Sequence, residues 1–298
     1  MHYRTDPKHA FIILNPASGT GDRAKQKEQI IDYAKAIGWK GELVETTRKR
    51  SSGIIAQEAI DKGFRHIVVC GGDGTIMDTL PPIMHSDAFL GIVPLGTGNL
   101  FAQNLNMDLS LKTAVETALT GKIEMIDIGK ANDTLFAVMA GIGFDAEIMR
   151  KAKRTLKSKY GFFAYIVAGL KHLKRSSGLY EVRIDGKAPR RFRAKSIVFA
   201  NMGKIQGGIE AVPKTHYQNG VLKIAIVKAS SLGSWLNLLA NAITGDINKS
   251  PHYELLEGKK AEITSLRGAK PYECDGDHFP PTKHLVVEIF HKALPVVM

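Results

Sequence analysis

Short apolar runs alternate with stretches of helical spacing over the first third of the chain. Phe11–Leu14 reads as a strand and runs into the turn Asn15-Pro16-Ala17-Ser18-Gly19. Arg23–Ile37 has the composition and apolar spacing of a helix, Gly41–Thr46 reads as a strand, and Ile54–Gly63 as a helix. His66–Cys70 is an apolar strand ending in Gly71-Gly72-Asp73-Gly74-Thr75, and Phe89–Val93 another ending in Pro94-Leu95-Gly96-Thr97-Gly98-Asn99. Strand, loop and helix repeated in this way predict parallel βαβ units. Ligands of such sheets bind at the carboxyl ends of the strands, where both glycine loops fall.

After about Asp127 the pattern changes. Strand-like runs follow one another at Leu135–Ala140, Leu179–Ile184, Arg193–Ala200, Val221–Val227, Lys260–Ser265 and Leu285–His291. They predict mostly antiparallel β structure with turns at Asp185-Gly186 and Asn219-Gly220. Helical stretches interrupt it near 146–174 and near 230–245. No internal repeat or low-complexity tract is present.

The length, 298 residues, suggests two domains. Lys and Arg number 41 against 29 Asp and Glu, a net charge of +12 that attracts phosphates, nucleic acid or an anionic lipid surface. Cys70 and Cys274 lie far apart with no metal-type spacing, and two free thiols in a reducing cytosol are the simpler reading. The apolar run Ala10–Leu14 is too short for a signal peptide core. The 11 residues Tyr160–Leu170 are too short to span a bilayer, which takes about 20. The expectation is a cytoplasmic protein, soluble or peripherally bound to membrane.

Three glycines in Gly71–Thr75 let backbone N–H groups turn toward an anion, and the following helix start adds its positive dipole end. Thr75 can cap that helix or donate to a phosphate. Asp73 among such donors suggests a metal contact or a base close to the phosphates; the plainer reading is an Asp that forms a βα turn. The Gly96–Asn99 loop repeats the logic one unit later, and Asn15–Gly19 also ends a strand, so three loops can converge on one nucleotide. No P-loop motif and no dinucleotide fingerprint in the first βα turn is present.

NPASG, GGDGT and PLGTGN, in that order, resemble the diacylglycerol kinase catalytic domain of bacterial lipid kinases and sphingosine kinases. Ile126-Asp127-Ile128-Gly129 and Gly141-Ile142-Gly143-Phe144-Asp145 look like that family's crossover into its second domain. Gly207-Gly208 before Ala211-Val212-Pro213 is similar to its GG…P segment, and Asp275-Gly276-Asp277 sits where it carries DGE. The resemblance spans nearly the whole chain. It implies an α/β plus β fold: a Rossmann-like domain similar to NAD kinases and phosphofructokinases over 1–128 with 285–298, and a β-sandwich-like lipid-substrate domain over 129–284. It implies ATP in the cleft between them, contacted by Asn15, Ser18, Thr46, the loop Gly71, Gly72, Asp73, Gly74, Thr75, Ile76 and Met77, and by Gly96, Thr97, Gly98 and Asn99. The implied reaction is transfer of the γ-phosphate to a lipid hydroxyl, first of all diacylglycerol, with Mg²⁺, in phospholipid metabolism. The resemblance also makes a homodimer a reasonable expectation.

Phosphoryl transfer rests on positioning and on offsetting negative charge. The resemblance offers Asp73, Asp275 and Asp277 for these duties. Asp277 aligns with the family's Glu, the usual proton acceptor, but is one methylene shorter; Asp275 is the other candidate base. Asp275-Gly276 alone reads as a hairpin turn. Where the family has an Asp ligand to a structural Mg²⁺, this chain has Asn219, with the carbonyls of His216 and Val221 beside it. Mg²⁺ favours charged oxygen ligands, so the exchange weakens or abolishes that site. Met77 and Leu100 also depart from the family pattern.

No Asp or Glu lies between Ile148 and Tyr180, a stretch that holds Arg150, Lys151, Lys153, Arg154, Lys157, Lys159, Lys171, Lys174 and Arg175 together with Phe162, Phe163 and Tyr165. Basic residues flanking aromatics suit an anionic membrane surface; a solvated charged face over an apolar stripe is the plainer reading. Ser231–Ile243, with Trp235, Leu236, Leu238 and Leu239, is a second membrane candidate that fits a core helix equally well. No nucleic-acid-binding signature is present. The competing functions are an NAD kinase-like enzyme and a nucleotide- or lipid-binding member of the family with weakened catalysis.

Overall fold

The computed structural model describes residues 7–19, 22–143, 177–205, 210–244 and 246–298. The chain divides into two compact units, Met1–Ile126 with Lys292–Met298, and Asp127–His291. Phe144-Asp145, the helix expected near 146–174, the basic run Arg150–Arg175 and Gly207-Gly208 lie outside the described residues.

In the first unit, β1 (Phe11–Leu14), β2 (Leu43–Glu45), β3 (His66–Gly71) and β4 (Phe89–Pro94) form a parallel sheet in the order β2-β1-β3-β4. β1, β3 and β4 are buried at every residue. Unbroken apolar runs of this kind belong to parallel strands covered on both faces. Helices α1 (Arg23–Ala36), α2 (Ser52–Asp61), α3 (Asp73–Met84), α4 (Leu100–Asn104) and α5 (Leu111–Thr120) connect the strands. Ile12, Leu14, Val68, Cys70 and Val93 pack against Ile30 and Ala34 of α1 and Val115, Ala118 and Leu119 of α5. Alternate residues such as Ile13, Ile67 and Val69 point to the opposite face, where α2 and α3 pack together. The helix expected at Ile54–Gly63 begins two residues earlier, because the Ser51 side chain accepts the N–H of Ile54 and caps it.

The second unit holds β5 (Ile123–Ala131, which starts in the first unit), β6 (Thr134–Phe136), β7 (Met139–Ile142), β8 (Gly178–Ile184), β9 (Arg190–Ala194), β10 (Ser196–Ala200) and β11 (Leu222–Val227). Helix α6 (Leu232–Ile243), β12 (Tyr253–Gly258), β13 (Lys260–Ser265), β14 (Lys270–Cys274), β15 (Asp277–Thr282) and β16 (His284–Val297) follow. One sheet runs β16-β13-β8-β9, with β5 beside β16; the other runs β12-β11-β10-β7-β14-β15 with antiparallel neighbours throughout. Tyr180, Val182, Phe192, Ile263 and Val287 of the first meet Ile142, Phe199, Leu222, Ile224 and Ile226 of the second in one core. The unit is therefore a β-sandwich.

Several sequence expectations are corrected here. The run Leu135–Ala140 is two strands, β6 and β7, because the N–H groups of Ala137 and Val138 turn away to a side chain, Asp275. Arg193–Ala200 splits at Lys195, where the chain leaves the sheet of β8 for that of β7 and β11. Leu285–His291 is part of a longer strand: His284–Glu288 pair with β13, and Val296–Val297 with β4. The units accordingly meet at 126/127 and 291/292 rather than at 128 and 285. The Asp185-Gly186 turn has φ of 48° and 70°, the left-handed pair of a tight hairpin.

Candidate active site

The register of the parallel strands levels their carboxyl ends: Leu14 lies beside Cys70, and Gly71 beside Pro94. The three loops that follow are tied to one another. Asn15 donates its N–H to the Cys70 carbonyl (2.9 Å) and its Nδ2 to the Thr75 hydroxyl (2.8 Å). Its Oδ1 accepts the N–H of Ala17, which shapes the turn, and Ser18 Oγ accepts the N–H of Gly72 at 3.3 Å. Thr46 joins the same edge through its N–H to the Leu14 carbonyl (2.9 Å).

Gly72 and Gly96 bring the second and third loops into backbone contact. A Cβ built at Gly96 meets the Cα of Gly72 at 2.7 Å, and one at Gly72 meets the Cα of Gly96 at 3.2 Å. Only glycine fits this approach. Asn99, in the left-handed region at φ 49°, donates Nδ2 to the Gly96 carbonyl at 2.9 Å. Asp73 opens α3 and accepts the N–H of Phe101 on Oδ1 at 3.1 Å, so its carboxylate links the same two loops. A Cβ at Gly74 meets nothing within 4 Å; Gly74 and Thr97 are exposed, and Met77 is half-buried. Ile76 is 0% exposed; its side chain belongs to the core, and only its backbone belongs to the loop.

Asp78 departs from the family pattern with Met77, but the sequence assigned it no contact. Its Oδ2 accepts the N–H of Gly53 (2.7 Å) and lies 2.8 Å from Ser52 Oγ, at the N-terminus of α2. The contact holds the start of α2 against α3, and the signal for it was a Ser pair at a helix start with a carboxylate 26 residues on.

In the second unit Asp275 and Gly276 form the turn between β14 and β15, at φ of 45° and 81°. The Asp275 carboxylate accepts three main-chain N–H groups: Ala137 on Oδ2 at 2.7 Å, and Val138 and Met139 on Oδ1 at 3.0 and 2.9 Å. Asp275 thus fastens the β6–β7 junction. Asp277, at the start of β15, is exposed. The turn also has the buried Glu273 accepting the N–H of Gly276 at 2.8 Å. Burial pushes the Cys274 thiol well above the usual range, and the carboxylates of Glu273, Asp275 and Asp277 add to this. Burial does the same to Cys70.

The candidate metal ligands His216, Asn219 and Val221 fall in one turn. The His216 carbonyl accepts the N–H of Asn219, and Asn219 Oδ1 accepts the N–H of Val221, both at 3.3 Å. A carboxylate bonded to this turn, Asp127, is 0% exposed. It accepts the N–H of Gly220 at 2.6 Å and lies 2.8 Å from His291 Nδ1. A neutral amide already turned onto its own backbone, with two carbonyls, does not suit Mg²⁺. Among the described residues no group of three His, Cys, Asp or Glu side chains is placed to hold a metal.

Comparison with known proteins agrees with this division. Residues 9–131 match the family model of the diacylglycerol kinase catalytic domain, and residues 138–298 that of the YegS C-terminal NAD kinase beta sandwich-like domain. A diacylglycerol kinase of Staphylococcus carnosus is 26% identical over 91% of this chain and 89% of its own, and one of Bacillus subtilis is 27% identical over 86% of each. An uncharacterized Synechocystis protein is 27% identical over 82% of this chain, which spans 59% of that relative's length. The crystal structure of a diacylglycerol kinase from Bacillus anthracis superposes with a TM-score of 0.78 at 22% identity, over 97% of this chain and 96% of the other. It shares the fold. The chain belongs to the diacylglycerol kinase catalytic-domain family, and its class is that of a lipid kinase.

Proposed function

We propose that the protein transfers the γ-phosphate of ATP to the hydroxyl of diacylglycerol, giving phosphatidic acid at an anionic membrane surface. The observation that carries this reading is the linkage of three strand-end loops through Asn15, Ser18, Gly72 and Gly96. Such an edge, with α3 opening at Asp73, suits phosphate groups: glycine backbone approaches them closely and a helix N-terminus favours their charge. Asn15, Ser18, Thr46 and Thr97 serve as polar contacts for the nucleotide. Mg²⁺ arriving with ATP would offset phosphate charge, and no step runs through a metal at the Asn219 turn.

In this reaction the lipid oxygen forms a bond to the γ-phosphorus as the bond to the bridging oxygen of ADP breaks. The hydroxyl proton passes to a carboxylate. Asp277 is assigned that role because it is exposed, whereas both oxygens of Asp275 already accept backbone N–H groups. Asp73 acts at the nucleotide.

The test is transfer of labelled γ-phosphate from ATP and Mg²⁺ into a panel of lipids in mixed micelles, with NAD as a soluble control. Label in diacylglycerol is expected. Label in another lipid keeps the reaction and changes the substrate, and label in NAD reassigns the enzyme. No label anywhere, with ATP still bound by calorimetry, means a binding protein whose catalysis has been lost.

A further inference from the structure

Seventeen consecutive residues, Ala229–Gly245, contain no Asp, Glu, Lys, Arg or His, in a chain that is 23% charged. They hold α6. The inner side of this helix is anchored: Leu238 joins Ala200, Val212, Ala225, Val227, Ile247 and Tyr253 in a small core, with Trp235 packed against it. Ser234 Oγ accepts the N–H groups of Ser230 and Ser231, and Ser250 Oγ donates to Asn237 at 2.8 Å. The outer side carries two exposed leucines beside the exposed Asn237. Leu232 is 50% exposed and Leu236 52%, one turn apart on one face.

The charge of the chain lies on the same unit. Asp127–His291 carries 26 Lys and Arg against 15 Asp and Glu, whereas the other unit carries 15 against 14. Eleven of the twelve net positive charges therefore belong to that unit by sequence; seven of them fall within 144–176, outside the described residues, and its described residues carry 17 Lys and Arg against 13 Asp and Glu. An exposed leucine pair on an uncharged helix, in a unit whose sequence has a net positive charge, is complementary to one partner chemistry, an anionic bilayer, in which apolar insertion and electrostatic attraction act together. A second copy of the chain is the poorer occupant. Two half-exposed leucines supply a small part of the about 800 Å² that each partner buries in a stable interface.

We propose that α6 lies in the interfacial layer of an anionic membrane with Leu232 and Leu236 inserted among the acyl chains. This deepens the reading of the protein as a lipid kinase and rests on it. The experiment uses the full chain carrying Trp39→Phe, which leaves Trp235 as the sole tryptophan, without ATP or diacylglycerol. Vesicles of phosphatidylcholine with phosphatidylglycerol should shift Trp235 emission to the blue, and brominated acyl chains should quench it. Leu232→Gln with Leu236→Gln should weaken vesicle binding about tenfold or more, and the Leu→Met pair should bind as the parent does. Unquenched Trp235, or unchanged affinity in the Gln pair, overturns the proposal. A parent that sediments as a dimer, with a monomeric Gln pair, assigns the face to a second copy and overturns it too. Kinase activity is measured separately on a water-dispersed short-chain diacylglycerol. Activity there without quenching sinks the docking surface alone; quenching without activity on any lipid sinks the kinase reading alone.

Discussion

Replacing Asp275 by alanine removes the acceptor for three backbone N–H groups, those of Ala137, Val138 and Met139. Ala137 and Val138 are 1% and 3% exposed, so their N–H groups have little access to water in exchange. A hydrogen bond to a charged group contributes about 1.5–3 kcal/mol, and an unmet buried donor costs about 1–3 kcal/mol. Asp275 is itself partly exposed, and solvent entering the gap lowers the total to about 3–5 kcal/mol. For a body of this size about 2–4 °C is lost per kcal/mol, so the melting temperature of the second unit should fall by roughly 10 °C. Asp275→Asn should fall between, because its amide presents one oxygen to three donors. Asp277→Ala is the control: exposed, it should melt within about 2 °C of the parent while losing turnover. Scanning calorimetry beside the labelled-phosphate assay reads both quantities. An Asp275→Ala protein that melts like the parent but has no turnover would refute the fastening role and return Asp275 to base catalysis.

Four further outcomes are expected. Gly96→Ala sets a Cβ 2.7 Å from the Cα of Gly72; calorimetry should show ATP affinity reduced more than tenfold, about 1.4 kcal/mol, in a folded protein. Asp78→Asn removes a carboxylate from the N-terminus of α2 and should cost about 1 kcal/mol of stability in urea titration and raise the KM for ATP; no change in either rules out a positioning role. Asn219→Asp places a carboxylate in the His216–Val221 turn, and its melting temperature should rise with Mg²⁺ where the parent's does not. The last concerns pH. Cys70 and Cys274 have thiol pKa values raised by burial, so the unfolded chain releases these protons first. The stability held below the unfolded thiol pKa of about 8.5 is therefore lost as pH rises past it. Substituting both cysteines with alanine should flatten that decline in melting curves taken from pH 7 to 10.

Sequence and structure divide the molecule unevenly. The three strand-end loops were legible because their signals are local. Gly71-Gly72, Gly96 and Asn15 stand at the ends of apolar runs, and only residues of that kind make such turns. The hairpin at Asp185-Gly186 was legible for the same reason. Strands β12, β14 and β15 were not: β15 reads Asp-His-Phe-Pro-Pro-Thr, half of it exposed, and at the edge of its sheet it carries prolines that a central strand excludes. Asp275 read as a candidate base or a turn former, and the three donors it holds lie 136 to 138 residues away.

By itself the sequence determined the parallel α/β half, the antiparallel half and the positions of the three strand-end loops, since each follows from spacing within a few residues. Only the tertiary structure decided that Gly72 and Gly96 touch, that Asp78 braces α2, and that Asp275 fastens β6 to β7 while Asp277 stays exposed. It also decided that β16 pairs with a strand of each unit. These are contacts between residues distant in sequence, and they exist only once parallel register and sheet packing have brought the partners within bonding distance.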